Sequence, residues 1–321
     1  MKQQPEFQYG GQAVIEGVMM RGRDYLAVAV RKADGEIVIQ KTPVGSITKK
    51  FPFLKWPFIR GIVGLCESFG VGMKALMFSA DQFMDDGETN EKGEPNKLSG
   101  WETALTVTLA LALTIVLFII LPLFGRSLMG KILPGPVWGN IIESILRMII
   151  LVGYIVAVSS MNDIKRVFAY HGAEHKVINT FEAKEDLTVE NARKHTTFHP
   201  RCGTSFLLFV VIVSAVFFSF LHYDNALMRF ASRIALLPII AGVSYEIIKF
   251  TGRHQDFFLW RWLSAPGFWL QRLTTREPDD DQLQVAISSL VAVLREEAPI
   301  IVGGKIYTAE KVEVADSATT S

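Results

Sequence analysis

Long apolar runs, separated by short polar stretches, dominate this 321-residue chain. Four of them read as membrane-crossing helices: Trp101 to Phe124, Val137 to Ser160, Ser205 to Leu221 and Phe230 to Ile248. Each approaches the roughly 20 residues needed to cross a hydrocarbon layer of about 30 Å. The second run carries Asn140, Glu143 and Arg147; the fourth carries Arg233 and Glu246 and is interrupted by Pro238. Glu143 and Arg147 stand at i and i+4, where an intrahelical ion pair lowers the cost of burying either charge. Residues 56–80 are apolar in a different way. Arg60, Glu67 and Lys74 recur every seven residues on one stripe, and Ile, Val, Leu, Phe, Met and Gly cover the rest. That pattern predicts an amphipathic helix in the plane of the membrane interface or in a groove of the helix bundle.

The ends of the chain alternate differently. Leu26–Val30 and Ile37–Ile39 flank Asp34-Gly35, a hairpin signal. Residues 7–48 therefore read as a small β-rich unit. The glycines of Gly10-Gly-Gln-Ala-Val-Ile-Glu-Gly-Val-Met-Met-Arg-Gly22 match no phosphate-loop spacing and read as tight turns in that sheet. Asp85 to Gly100 is a polar linker. Phe257 to Leu273 sets Trp260, Trp262 and Trp269 among Arg and Phe, an interfacial anchor. Pro278-Asp-Asp-Asp281 places acids at the positive end of a helix running to Glu297, with Leu283, Ile287, Leu290 and Leu294 as its apolar stripe. The expected fold is a mainly α membrane protein: about four transmembrane helices, an interfacial amphipathic helix, a small N-terminal β unit and a C-terminal helix. The expected divisions are a β-rich unit (1–55), the amphipathic helix (56–84), the linker (85–100), a four-span domain (101–253) with a His-rich loop (161–204), a Trp-rich segment with the C-terminal helix (254–298), and a tail (299–321).

Charge orients these elements. The segment before the first expected span holds 13 Lys+Arg, the loop Met161–Thr204 seven and the tail from Lys249 eight, against two in each of the other two loops. The excess of Lys and Arg expected on the cytoplasmic side predicts that both termini and the His-rich loop face the cytoplasm. The net charge of +1 gives no nucleic-acid footprint. Two cysteines, Cys66 and Cys202, make no disulfide framework.

Within the His-rich loop lies the chain's most distinctive chemistry, His171-Gly-Ala-Glu174-His175. On a helix, residues four apart lie one above the other. Two imidazoles at that spacing can share one metal ion, and this is the inverted H-x-x-E-H arrangement of zinc hydrolases, whose glutamate acts as base toward a metal-activated water. A catalytic zinc takes three protein ligands and keeps an open position. Candidates for the third are His199, Cys202, Glu182, His195 and Glu246, with His199 or Cys202 favoured. His199-Pro-Arg-Cys202 reads as a turn, because the residue before a proline is pushed out of the helical region. For Cys202 the competing reading is a small buried hydrophobe. For Glu246 it is an ion pair with Lys249 or Arg253. Arg201 and Lys176 are candidates to steady an anionic substrate.

Four blocks carry a family resemblance: Gly10 to Gly22, Tyr170-His-Gly-Ala-Glu-His-Lys176, His199-Pro-Arg-Cys-Gly-Thr-Ser205 and Leu270-Gln-Arg-Leu-Thr-Thr-Arg-Glu-Pro278. In their order they resemble the YqhQ family of bacterial membrane proteins over nearly the whole chain. The resemblance implies a multi-span inner-membrane protein and carries a general label of metal-dependent enzyme, which rests on the same histidines. The expected activity is metal-dependent hydrolysis, with zinc as cofactor and Glu174 as base, on a lipid, a lipid-linked precursor or a membrane-protein segment. The alternative is a scaffold or regulator with a structural metal, binding proteins through its cytoplasmic segments. Either reading is compatible with a homo-oligomer.

Overall fold

The computed structural model describes residues 9–45, 51–56, 59–84, 100–129, 132, 135–221, 225–253, 258–297, 300–302 and 305–307. The linker expected at 85–100 and the far end of the tail lie almost wholly outside these. The chain divides into two compact units: Met1–Gly45, Ala169–Thr197 and Glu277–Ser321 form one, and Ser46–Phe168 with Phe198–Arg276 form the other.

The first unit gathers three distant pieces of sequence around one sheet. Strands β1 (Gly10–Val14), β2 (Gly17–Arg21), β3 (Tyr25–Arg31) and β4 (Ile37–Pro43) form an antiparallel meander in sequence order. The hairpin expected at Asp34-Gly35 joins β3 to β4. Gly35 takes φ +88°, and the Asp34 carboxylate accepts from the Glu36 N–H at 2.9 Å, the turn chemistry that Asp and Gly supply. Gly22 lies at the β2–β3 turn, its N–H donating to the Tyr25 carbonyl at 2.8 Å, whereas Gly11 and Gly17 serve closeness. A Cβ on Gly17 would lie 2.3 Å from the Ala29 carbonyl oxygen.

The C-terminal helix covers this sheet. It runs Asp280–Glu297, as the acidic cluster predicts, and closes with a reciprocal capping box: the Gln282 N–H donates to Asp279 Oδ1 at 2.8 Å, and the Asp279 N–H donates to Gln282 Oε1 at 3.1 Å. Its stripe Leu283, Ile287, Leu290 and Leu294 is buried with Val18, Met20, Ala27 and Ala29 of the sheet and with Tyr170, Ala173, Val177 and Ile178 of the His-rich helix Asn162–Glu182.

The second unit is helical. In chain order the α-helices of both units among the described residues are α1 (Ile59–Met84), α2 (Gly100–Ile115), α3 (Leu121–Met129), α4 (Pro136–Ser159), α5 (Asn162–Glu182), α6 (Val189–Lys194), α7 (Gly203–Ser219), α8 (Ala226–Arg253), α9 (Phe258–Thr274) and α10 (Asp280–Glu297). A π-helical turn, Val116–Ile120, runs α2 into α3. Pro122 lacks the N–H that would reach the Phe118 carbonyl, and that oxygen instead accepts from Arg147 Nε at 2.9 Å.

Among the described residues, four helices are long and apolar enough to cross a membrane: Ile62–Phe83, Gly100–Met129, Val137–Ser159 and Leu227–Gly252. The number agrees with the sequence pattern, but the membership differs. The run expected at Ser205–Leu221 folds as the 17-residue α7, only about 25 Å long at 1.5 Å per residue. α7 buries Leu208, Phe209, Val211, Val213 and Phe218 and packs on α4, α8 and α9. The stretch expected to lie in the interface contains a 22-residue segment of span length. Its charged entry residue Arg60 is neutralised by both carboxylate oxygens of Glu246 on α8, at 2.7 and 2.6 Å. Apolar side chains face outward all along α2, which buries none of its residues, as expected where lipid is the solvent.

Candidate metal centre

The site begins with the helical geometry of α5. The i, i+4 spacing stacks the rings of His171 and His175 with centroids 4.4 Å apart and planes inclined by 59°. His175 is 1% exposed and Glu174 5%. The Nδ1 atom of His175 lies 2.6 Å from the Thr197 carbonyl oxygen. A carbonyl only accepts, so Nδ1 carries the hydrogen and the neutral ring keeps its lone pair on Nε2. Metal-binding histidines have this arrangement: a backbone carbonyl holds one nitrogen and so presents the other.

Glu174 is fixed by the first glycine block. Its Oε1 accepts from the Gly11 N–H at 2.8 Å. A Cβ on Gly11 would lie 2.3 Å from the Met19 carbonyl oxygen, 3.0 Å from Met20 Sδ and 3.1 Å from Glu174 Cγ. Only glycine lets β1 come this near. Gly11→Ala is therefore expected to destabilise the first unit by about 1–3 kcal/mol, the usual cost of overpacking. Thermal unfolding of the purified variant checks this, and an unchanged midpoint would show that the strand has room.

Lys176, a candidate for substrate contact, is buried at 3% exposure. Its ammonium donates to the Arg193 carbonyl at 2.9 Å and pairs with Glu277 at 2.7 Å. It thereby ties α5 to the chain entering α10. His195 Nε2 lies 3.1 Å from Glu185 Oε2, and Glu182 ends α5.

The remaining candidates belong to the second unit. His199 to Cys202 forms the expected turn, closed by the Cys202 N–H donating to the His199 carbonyl at 3.3 Å. The Gln271 side chain grips the backbone of His199 from both sides. Its Oε1 accepts from the His199 N–H at 2.9 Å, and its Nε2 donates to the His199 carbonyl at 2.8 Å and to Ser205 Oγ at 3.0 Å. Arg201 Nη2 lies 3.4 Å from His199 Nε2, which sets a cation against one of the two ring nitrogens that could bind a metal. The Arg201 stem packs on Gly252, where a Cβ would lie 2.7 Å from its Cγ. Cys202 is buried and caps α7, its Sγ 3.4 Å from the Thr204 N–H and 3.1 Å from Thr204 Oγ1. Glu246 has both oxygens engaged by Arg60, a partner 186 positions away in place of the expected Lys249 or Arg253. Hydrogen bonding to that carboxylate holds the Arg60 guanidinium above its ordinary range.

The contacts give roles to the two blocks that carried no chemistry of their own. Gly11 of the first block supports Glu174 of the second, and Gln271 of the fourth holds His199 of the third. Sequence reasoning missed Gly11, Thr197, Gln271 and Arg60 as partners; the juxtaposed blocks were the only signal for Gly11 and Gln271.

These features define a class: a mainly helical protein with four candidate membrane spans, a small antiparallel sheet and a histidine pair on a buried helical face. The comparisons with known proteins narrow it. Residues 56–296 match the family model described as protein of unknown function (DUF1385), and the chain belongs to that family. It is 39% identical over 296 residues to the uncharacterized protein YqhQ of Bacillus subtilis (strain 168), covering 90% of this chain and 93% of that one. No solved structure matches the chain.

Proposed function

We propose that the protein is an integral membrane enzyme of the bacterial inner membrane, a metal-dependent hydrolase working at the cytoplasmic face on a lipid, lipid-linked or membrane-protein substrate. The observation that carries this reading is the His175 ring, held through Nδ1 by the Thr197 carbonyl and stacked with His171 one turn earlier. That donor set suits zinc, which favours imidazole and thiolate. His171 and His175 would hold the ion. Cys202 is the preferred third ligand, because it lies only five residues beyond Thr197 in the chain and is a soft donor. His199 ranks below it because Arg201 sits against its Nε2. Glu246 is set aside because Arg60 takes both of its oxygens. When bound, the ion would supply Lewis acidity and lower the pKa of water. Glu174, adjacent to the ligand His175 and anchored through one oxygen, is positioned to take a proton and pass it to a leaving group. Arg201 remains the candidate for steadying an anionic substrate.

A second reading rests on the same anchor. With Oε1 on the Gly11 N–H, Glu174 also joins helix to sheet, as a scaffold with a structural metal would need. Glu174→Gln separates the two. The amide oxygen still accepts from Gly11, but the base is gone. Purified wild-type protein supplied with zinc and a bacterial membrane extract is expected to release hydrolysis products detectable by mass spectrometry, with the Gln variant slower by roughly 10²-fold or more. Equal product from both proteins would contradict the role of Glu174, and stable metal without turnover in either would favour the scaffold.

A further inference from the structure

The helical unit holds more positive charge than it neutralises. Glu143 of α4 receives Arg147 from one turn along the same helix (2.8 Å), both donors of Arg233 on α8 (3.0 and 2.9 Å) and Arg126 on α3 (3.4 Å). Three guanidiniums against one carboxylate leave an excess of two positive charges. Arg233 and Glu143 are each 1% exposed, and Arg147 is 6%. Arg147 is saturated: its other nitrogens donate to the Phe118 carbonyl at 2.9 Å and to Ser214 Oγ at 3.2 Å. Arg233 is not. Its guanidinium plane lies over Phe218, Cζ 4.1 Å from the centroid, and Nη1 is buried without a hydrogen-bond partner among the described residues.

Arg126 is where this excess reaches the surface. It stands in the last turn of α3, 9% exposed. Its Nη1 is taken by Asn140 and Glu143, whereas Nε and Nη2 have no hydrogen-bond partner among the described residues. Gly139 makes room for it, since a Cβ there would lie 2.8 Å from Nε and 3.0 Å from Cζ. Arg229, one turn before Arg233 on α8, adds a further positive charge that acts on Arg126. Two parallel N–H groups on one edge of a guanidinium match two oxygens of one anion. A buried excess of charge is costly until such an anion offsets it.

We propose that the end of the bundle formed by α3, α4 and α8 binds a phosphate-class anion, either free phosphate or the phosphodiester of a lipid headgroup, on the Nε–Nη2 edge of Arg126. Asn140 and Glu143 fix the guanidinium through Nη1, leaving the edge beside Gly139 for the anion, and Arg147 and Arg233 supply the field behind it. The location, within the last turn of one candidate span and two turns of the start of another, is where headgroup phosphates lie.

The test uses the full chain in detergent, wild type beside Arg126→Gln and Arg126→Lys; the lysine keeps the charge but lacks the fork, and it retains the fold if the glutamine does not. Native mass spectrometry reads co-purified phospholipid, and thermal shift of delipidated protein reads inorganic phosphate. Phospholipid retained by the wild type and lost in both variants identifies a lipid headgroup. Saturable stabilisation by inorganic phosphate, weakened roughly tenfold or more in both variants, identifies the free anion. Folded variants that match the wild type in both measurements, or a wild type that shows neither effect, would overturn the proposal and leave the arginines as internal struts.

Discussion

Replacing Glu143 by glutamine is expected to cost about 3–5 kcal/mol of stability, the penalty for leaving buried charge without its counter-ion. Among the described residues the carboxylate is the only anion in this cluster, and it accepts from Arg126, Arg147 and Arg233 at once. An amide oxygen can accept from one or two of these donors, but its NH2 would face the third. Arg147 and Arg233 would then share the Phe218 face with no charge between them. Unfolding in detergent, followed by circular dichroism or proteolysis, gives the loss directly. The double variant Glu143→Gln/Arg233→Gln should recover part of it, because removing both members of a buried pair is milder than removing one. A single variant as stable as the wild type would mean that the arginines are satisfied some other way.

The second large effect is expected at His175. Alanine there removes the ring that the Thr197 carbonyl orients and half of the histidine pair. Metal affinity should fall by three orders of magnitude or about that, since one of two or three protein ligands is lost. Stability should fall as well, by about 1–3 kcal/mol, because the Thr197 carbonyl loses its donor and the bound ion no longer favours the native state. The two contributions can be told apart. Chelator treatment of the wild type removes the ion and leaves the hydrogen bond, so its thermal midpoint should lie between those of the loaded wild type and the variant. A variant that binds zinc as well as the wild type would remove His175 from the ligand set.

Local signals in the sequence carried through to the structure, and distant ones did not. The Asp34-Gly35 hairpin, the acidic start of α10 and its Leu283–Leu294 stripe each depend on neighbours within a few positions, and each is present. The Glu143–Arg147 pair was legible for the same reason, being one helical turn apart. The arrival of Arg126 and Arg233 at the same carboxylate was not, since hydropathy shows that a charge lies in an apolar run but not what it meets. Gly11 illustrates the same limit. Its glycine-rich surroundings resembled turn chemistry, whereas the constraint is the closeness of the Met19 carbonyl on the neighbouring strand and of Glu174, 163 positions away. α1 and α7 were ambiguous for a different reason. Length and apolarity cannot separate a lipid-facing helix from one buried among its neighbours, and α7 packs inside the bundle.

Within α5, the spacing of His171, Glu174 and His175 was readable in full, and so was the turn His199–Cys202. What sequence could not provide was the hydrogen bonding that sets each side chain's capacity: a carbonyl behind His175, a backbone N–H on Glu174, a guanidinium against His199 and two salt-bridge bonds on Glu246. These contacts separate the candidates, since both oxygens of Glu246 and one ring nitrogen of His199 are already engaged.

The metal content of the detergent-purified protein tests this account most directly. The wild type, after exposure to zinc and removal of excess, should carry about one ion per chain, and His175→Ala less than about a tenth of that. A folded wild type that holds no metal and takes up none would contradict the metal centre and, with it, the proposed hydrolase.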